Sequence, residues 1–310
     1  MSNLVRKTVC YAKVESTPGT DSTPTASEAI FLVGTPKMVM KQEPNINEEL
    51  HAGFNRKVPG AATGQHWEIE LTVYLRGSGT NTASVTDAPS WDPLIKSAGW
   101  ALSSGTYTRD SDSTTTCTVY LFQDGKKKIA TGCRFKMNWA TEANGKVMLK
   151  FTGFGIYSEP TDASPSTVTD GEAVPVIAKN AACSWGPLSS SEMKLTKFEF
   201  DDQGQVEIDP NLNAATGING FFIADQDPIC KIDPEMTTTA VANLFSYAAG
   251  GTTGSFTITL GSATDNTFTI AGTAYLPEVP EGERAGRWIH DLQLNFVSNT
   301  ADGECSIAMS

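Results

Sequence analysis

Apolar residues recur at i, i+3, i+4 and i+7 in two places. One set is Trp91, Leu94, Ile95 and Ala98, ending at Gly99; the other is Val241, Leu244, Phe245 and Ala248, ending near Gly250. Each spacing puts apolar side chains on one face of a short helix. The two sets lie 150 positions apart. Ser90 stands before the first as a candidate cap, and Thr238 or Thr239 before the second. A Gly-rich break follows each, then a strand: GTYT (Gly105 to Thr108) against GSFT (Gly254 to Thr257).

Elsewhere the pattern has period two. The clearest case is Trp67 to Leu75. Trp67, Ile69, Leu71, Val73 and Leu75 are apolar, and His66, Glu68, Glu70, Thr72 and Tyr74 alternate with them. That is a strand with one buried and one wet face. The second half has weaker runs in the same place, Phe221 to Ile223 and Ile229 to Ile232. Each half ends in a hairpin-like pair. The first joins Cys133–Trp139 to Val147–Phe151 through Asn144-Gly145. The second joins Ala274–Leu276 to Trp288–Phe296 through a polar loop, Glu278 to Gly286, and Trp288, His290, Leu292, Leu294 and Phe296 alternate.

These elements predict the same plan twice: strand, long loop, strand, helix, strands, terminal hairpin. Residues 42–66 form one long polar stretch, and Asp209 to Gly220 holds the same place in the second half. Loops of that length are functional or disordered. Residues 158–192, rich in Pro, Ser and Thr, read as a linker. The expected division is a first module with an extended N-terminal arm over 1–157, a linker over 158–192 and a second module over 193–310. The match is one of pattern and not of residue identity, so two unrelated β-rich halves are the competing reading.

Composition narrows the class. Apolar content of 39% and charged content of 19% are globular values. No apolar run reaches membrane-spanning length, and MSNLVRKTVC has no hydrophobic stretch after its basic residues. Folding in a cytoplasm is expected. Cysteines 10, 117, 133, 183, 230 and 305 lack metal-type spacing, so buried reduced thiols are expected. Charge is uneven. Residues 1–157 carry 17 Lys/Arg against 14 Asp/Glu, a net of +3; residues 158–310 carry 6 against 21, a net of −15. Without a basic stripe, tight nucleic-acid binding is not expected.

Catalytic constellations are weak, and no enzyme activity, cofactor or metal is expected. His51, His66 and His290 have no ligand spacing. Neither Asp110 with Asp112, nor Asp201, Asp202, Gly204, Glu207 and Asp209, fits a calcium loop. GTTG at 251–254 reads as a helix-to-strand turn, since no lysine follows it.

The opening YAKVESTPGTDSTPTASEAIFLV resembles the start of tail tube proteins of long, flexible-tailed bacteriophages. The resemblance continues through HWEIELTVYLRGSGT, SWDPLIKSAGW, TCTVYLFQDGKKKIATGCRF and GKVMLKFTGFG. It covers residues 10–157, and by pattern alone 193–310. It implies a mainly β chain of two tandem tail-tube-like sandwich or barrel modules, each with one short helix. It implies a virion structural protein of siphovirus type, made in the host cytoplasm. Its subunits join sheets side by side into rings, and the rings stack into a tube for genome ejection. Two-module members form trimeric rings of pseudo-sixfold symmetry. The tape measure protein and tail-end proteins are implied partners, and DNA passes through the lumen without specific binding.

Two sets of residues follow as candidates. Glu43, Asn45, Glu48, Glu49, Phe54 and Arg56 lie in the long polar stretch best suited to reach a neighbouring ring. Glu68 and Glu70 share a wet strand face and are candidates for the lumen, where acids repel phosphate. The alternatives are a receptor-binding or capsid-decoration protein, and a glycan hydrolase of the tail.

Overall fold

A computed structural model describes residues 4, 6–45, 61–78, 88–168, 173–186, 188–189, 191–214, 216–238, 242–262 and 266–310. The chain is mainly β. The first half runs β1 (Thr8–Val14), β2 (Ala29–Ile30), β3 (Lys37–Asn45), β4 (Ala61–Tyr74), α1 (Asp92–Lys96), β5 (Trp100–Ser103), β6 (Thr106–Arg109), β7 (Cys117–Gln123), β8 (Lys126–Glu142) and β9 (Met148–Tyr157). Then come β10 (Thr161–Asp162), β11 (Ala182–Trp185), β12 (Lys197–Asp201), β13 (Gln205–Pro210), β14 (Ile218–Asp225), β15 (Ile229–Ile232) and α2 (Leu244–Gly250). The last are β16 (Thr253–Leu260), β17 (Phe268–Tyr275), β18 (Glu281–Arg284), β19 (Arg287–His290), β20 (Leu292–Phe296) and β21 (Cys305–Met309).

Seventeen strands form one open hydrogen-bonded network, and β13–β14 and β18–β19 form two separate ribbons. The sheets do not close into a barrel, so sandwich describes the fold. In the first half the antiparallel neighbours run β1, β7, β8, β9, β4, β3. In the second they run β11, β16, β17, β20, β15, β12. The chain visits the two series in the same order. GTYT and GSFT do not correspond in this scheme. GTYT opens on β6, which pairs β5 and β21; GSFT lies in β16, whose pairing matches that of β7.

The period-two reading of β4 holds except at His66, a residue of the expected wet face that is buried. Trp67, Ile69, Leu71, Val73 and Leu75 are buried, while Glu68, Glu70, Thr72 and Tyr74 are not. The apolar faces of both halves merge into one core cluster that includes Trp91, Trp100, Trp139, Phe200 and Phe296. The Trp139 and Trp100 rings each meet Phe200 edge-on, and so does Phe296.

Both helices form, with different caps from those expected. Trp91, not Ser90, is the N-cap of α1. Its indole donates to the Arg76 carbonyl (3.0 Å), and Pro93 fits the first turn, where no N–H is needed. Asn243 caps α2 by accepting from the Ser246 N–H (3.0 Å), and Gly251, left-handed at φ 58, ends it. Thr239 and Val241 lie outside the described residues. The inward face of α2 is Leu244, Tyr247 and Ala248, so Phe245 points away and is 52% exposed instead of in the core. Trp288 is also exposed, at 63%. The rest of the predicted row, His290, Leu292, Leu294 and Phe296, is buried, and Ile289 is buried beside the exposed Trp288.

The long polar stretches are less irregular than their composition suggests. Residues 42–45 and 61–66 extend a hairpin, with Glu43 opposite Thr63 and Asn45 opposite Ala61. Asp209 to Gly220 belongs to the β13–β14 hairpin, and Glu278–Gly286 contains β18. Residues 158–192, expected as a linker, contribute β10 and β11 and bury Val176, Cys183, Trp185 and Leu188. Polar composition hides these pairings because backbone hydrogen bonds do not depend on side-chain polarity.

Candidate assembly surface

One sheet runs through both halves in the order β3, β4, β9, β8, β12, β15, β20. The two halves meet at β8, whose C-terminal part pairs β12 from Asn138↔Asp201 to Glu142↔Lys197. A second junction pairs β21 with β6. The sheet face turned from the core carries charge in pairs. Glu68 meets Lys37 and Lys41 (3.2 Å to the latter), Glu70 meets Lys150 (2.8 Å), and Glu199 meets Lys231 (3.9 Å). Hydrogen bonding from Lys37 holds the Glu68 carboxyl below its usual range. Such exposed pairs stabilise little. Their consequence here is that both lumen candidates are already partnered by lysines.

The junction is polar at its centre. Asp202 is fully buried. One carboxylate oxygen accepts from the Met137 N–H (2.8 Å) and the other from the Gly204 N–H (2.9 Å). Burial pushes its carboxyl up to about 7, although those N–H groups pull it down. Arg109 reaches from β6 to the Gln226 carbonyl (3.1 Å) and to Glu304 (3.4 Å), and the Gln226 amide donates to the Ala98 carbonyl at the end of α1 (2.7 Å). The β13–β14 hairpin lies over the first half. Phe221 stacks on Phe154 with centroids 5.8 Å apart, His66 meets both rings, and Gly64 donates to the Thr216 carbonyl (3.2 Å).

Among the described residues several strands pair on one side only, β3 and β18 among them. Among the described residues β3 pairs only with β4, leaving its outer edge bare beside exposed Val39 and Met40; Lys128 guards one carbonyl there, that of Met38 (2.9 Å). In the second half, β18 of the separate β18–β19 ribbon pairs only with β19 among the described residues. Near it Met236, Phe245 and Trp288 are exposed. The Met236 N–H donates to the Trp288 carbonyl (3.0 Å), and the Phe245 ring meets His290. Unpaired strand edges beside apolar side chains invite another chain.

Of the inter-ring candidates, Glu43 and Asn45 lie in β3; Glu48, Glu49, Phe54 and Arg56 lie outside the described residues, as does His51. His66 and His290 are buried in separate settings: one bonded to the Gly64 carbonyl, the other against Phe245. Of the acidic run 201–209, Asp202 has a structural role at the junction. All six cysteines are free and buried, and burial pushes the Cys183 thiol up to about 12. Cys183 borders a cavity of about 370 Å³, lined also by Glu142, Met193 and Ile258. Among the described residues no group of His, Cys, Asp or Glu is arranged to hold a metal ion. Sequence reasoning missed Asn243, Met236 and Val176; an Asn just before Leu244 was the legible signal for the first.

No curated protein matches the chain in sequence. A family model described as phage tail tube protein matches residues 6–297, nearly the whole length. The chain belongs to the phage tail tube protein family.

Proposed function

We propose that this structural tail component assembles into rings that stack into the hollow tube of a long, flexible tail, through which DNA is ejected. The observation that carries this reading is the sheet shared by both halves, with its end strand β3 and the separate β18–β19 ribbon each presenting a strand paired on one side only among the described residues. Closing such a sheet on copies of itself removes the open edges, and a cyclic arrangement ends growth within a disc. The repeated strand order supports two tail-tube modules, 1–157 with its arm and 193–310. Residues 158–192 connect them and supply β11 as a first strand. Three such chains make a trimeric ring of pseudo-sixfold symmetry. Assembly takes place in the host cytoplasm, and the tape measure protein and tail-end proteins are its further partners.

The β3–β4 hairpin, with Glu43, Asn45, Glu48, Glu49, Phe54 and Arg56, is the proposed ring-to-ring contact. Glu68 and Glu70 are proposed for the lumen face. Since both are paired with lysines, net repulsion of DNA falls to acids of the second half. Negative-stain microscopy of the purified protein tests the reading. Tubes or stacked discs are expected. Compact particles without rings point instead to a receptor-binding or decoration protein, and monomers alone refute the tube.

A further inference from the structure

The chain makes a joint with itself that has an unused copy at each end. Within the chain, β8 residues 138–142 pair with β12 residues 197–201. Close by, Leu75 donates to the Val147 carbonyl (2.9 Å), and Val176, 2% exposed, covers that spot by bonding both residues: its N–H donates to Leu75 and its carbonyl accepts from Val147.

Each part has a counterpart in the other half. The β8–β9 turn has Asn144 at φ 63 before Gly145, and the β18–β19 turn has Ala285 at φ 51 before Gly286. Aligning these turns sets residues 279–283 against 138–142. It also sets Trp288 against Val147, and the Met236-to-Trp288 hydrogen bond reproduces the Leu75-to-Val147 one. The same alignment sets Ala271 against Ala130. Following the ladders through Thr257 and Val119 sets Ser184 against Ala12. Val176 precedes Ser184 by eight residues, and the residue eight before Ala12 is Leu4. Buried Phe198 and Phe200 of β12 answer to buried Pro36 and Met38 at β3. Yet Leu4 is 57% exposed, Trp288 63% and Val39 42%. Val176 and Val147, buried at the internal joint, thus have bare counterparts in Leu4 and Trp288.

We propose that the outer edge of β3 and Leu4 of one copy dock onto residues 279–283 and the Met236–Phe245–Trp288 patch of the next copy. The joint between chains then repeats the joint within the chain. The partner is a second copy of this chain, and the inference rests on the ring reading above. In the register of the internal joint, Lys37 falls opposite Glu281 and Val39 opposite Val279. The charges agree: the β3 edge brings Lys37 and Lys41, and the segment it meets brings Glu278, Glu281 and Glu283.

The test is a double variant, Lys37→Cys with Glu281→Cys, assembled and then oxidised. Opposed residues in an antiparallel pair have Cα atoms about 4.5–5.5 Å apart, within disulfide reach. Inside one chain β3 and β20 stand six strand spacings apart, roughly 29 Å at ~4.8 Å per spacing, and Glu281 lies in the ribbon that leads into β20, so no intramolecular bond forms. The six native cysteines are buried and do not compete. The expected result is a ladder of covalent oligomers ending at the closed ring, absent from either single variant. A second variant, Trp288→Glu, should keep the monomer's melting temperature and lose ring formation. Rings that assemble but give no cross-link, or that form normally with Trp288→Glu, overturn this joint and leave the ring reading standing. A wild-type chain that never forms rings removes the ring reading, and the joint with it.

Discussion

At the scale of single residues, Asp202 is the most consequential group. It ties β8 to the turn after β12, through backbone N–H groups of both halves, in full burial. Its carboxyl rises from 3.8 to about 7 because burial disfavours the charged form. A carboxyl with a higher pKa folded than unfolded binds more protons when folded between those values. Its stabilising contribution is therefore complete below pH 3.8 and lost as pH rises through about 7. Melting curves of the wild type and Asp202→Asn between pH 4 and 8 check this. The wild-type advantage should shrink with rising pH, by at most ~1.4 kcal/mol per unit. A difference that stays constant across the range would show that Asp202 titrates as an ordinary carboxyl.

At the scale of elements, the two helices act as plugs over the sheets. Leu94 is 0% exposed and Leu244 2%. Leu94→Ala or Leu244→Ala should each cost roughly 2–5 kcal/mol, since the side chain leaves a cavity in a packed site. Chemical denaturation reads this directly, and unchanged midpoints in both variants would show that the helices are not core elements. The β3–β4 hairpin is a different kind of element. Its arms pair from Lys37↔Glu70 to Asn45↔Ala61 with one irregularity between Lys41 and Glu43, and residues 42–45 and 61–66 extend it. Deleting Glu43 to Ala62 should leave a folded, soluble protein that no longer stacks. Normal tubes from that deletion would place the ring-to-ring contact elsewhere.

At the scale of the whole molecule, charge is divided unequally, +3 over residues 1–157 and −15 over 158–310. In a tube through which DNA slides, a wall that repels phosphate prevents sticking. Reversing several lumen acids to Lys should leave assembly intact and slow genome ejection, with a defect that weakens as salt is raised. Ejection timed at two ionic strengths gives the answer, and an inner wall that is net positive in a ring structure would defeat the idea. The lysine partners of Glu68 and Glu70 make those two residues poor targets when reversed alone.

Some of this was legible in the sequence because it depends on local periodicity. The alternation of Trp67 to Leu75 identified β4 and its buried face. The spacing of Leu94 and Leu244 located both helices, and Asn144-Gly145 marked the β8–β9 turn. Other features depend on partners distant in the chain, and only the tertiary structure decided them. Trp288 reads as core by alternation, yet pairing with Glu283 turns it outward. Val176 reads as linker, yet the ladder at Leu75 and Val147 buries it. Residues 42–45 read as loop because their side chains are polar, while the backbone bonds that make them strand carry no side-chain signature. The 150-residue offset pointed to a repeat through its helices, but insertions such as β5–β6 shift the strands by other amounts. The correspondence is therefore fixed by which strands share hydrogen bonds, a property of the folded chain that no periodicity in one segment records.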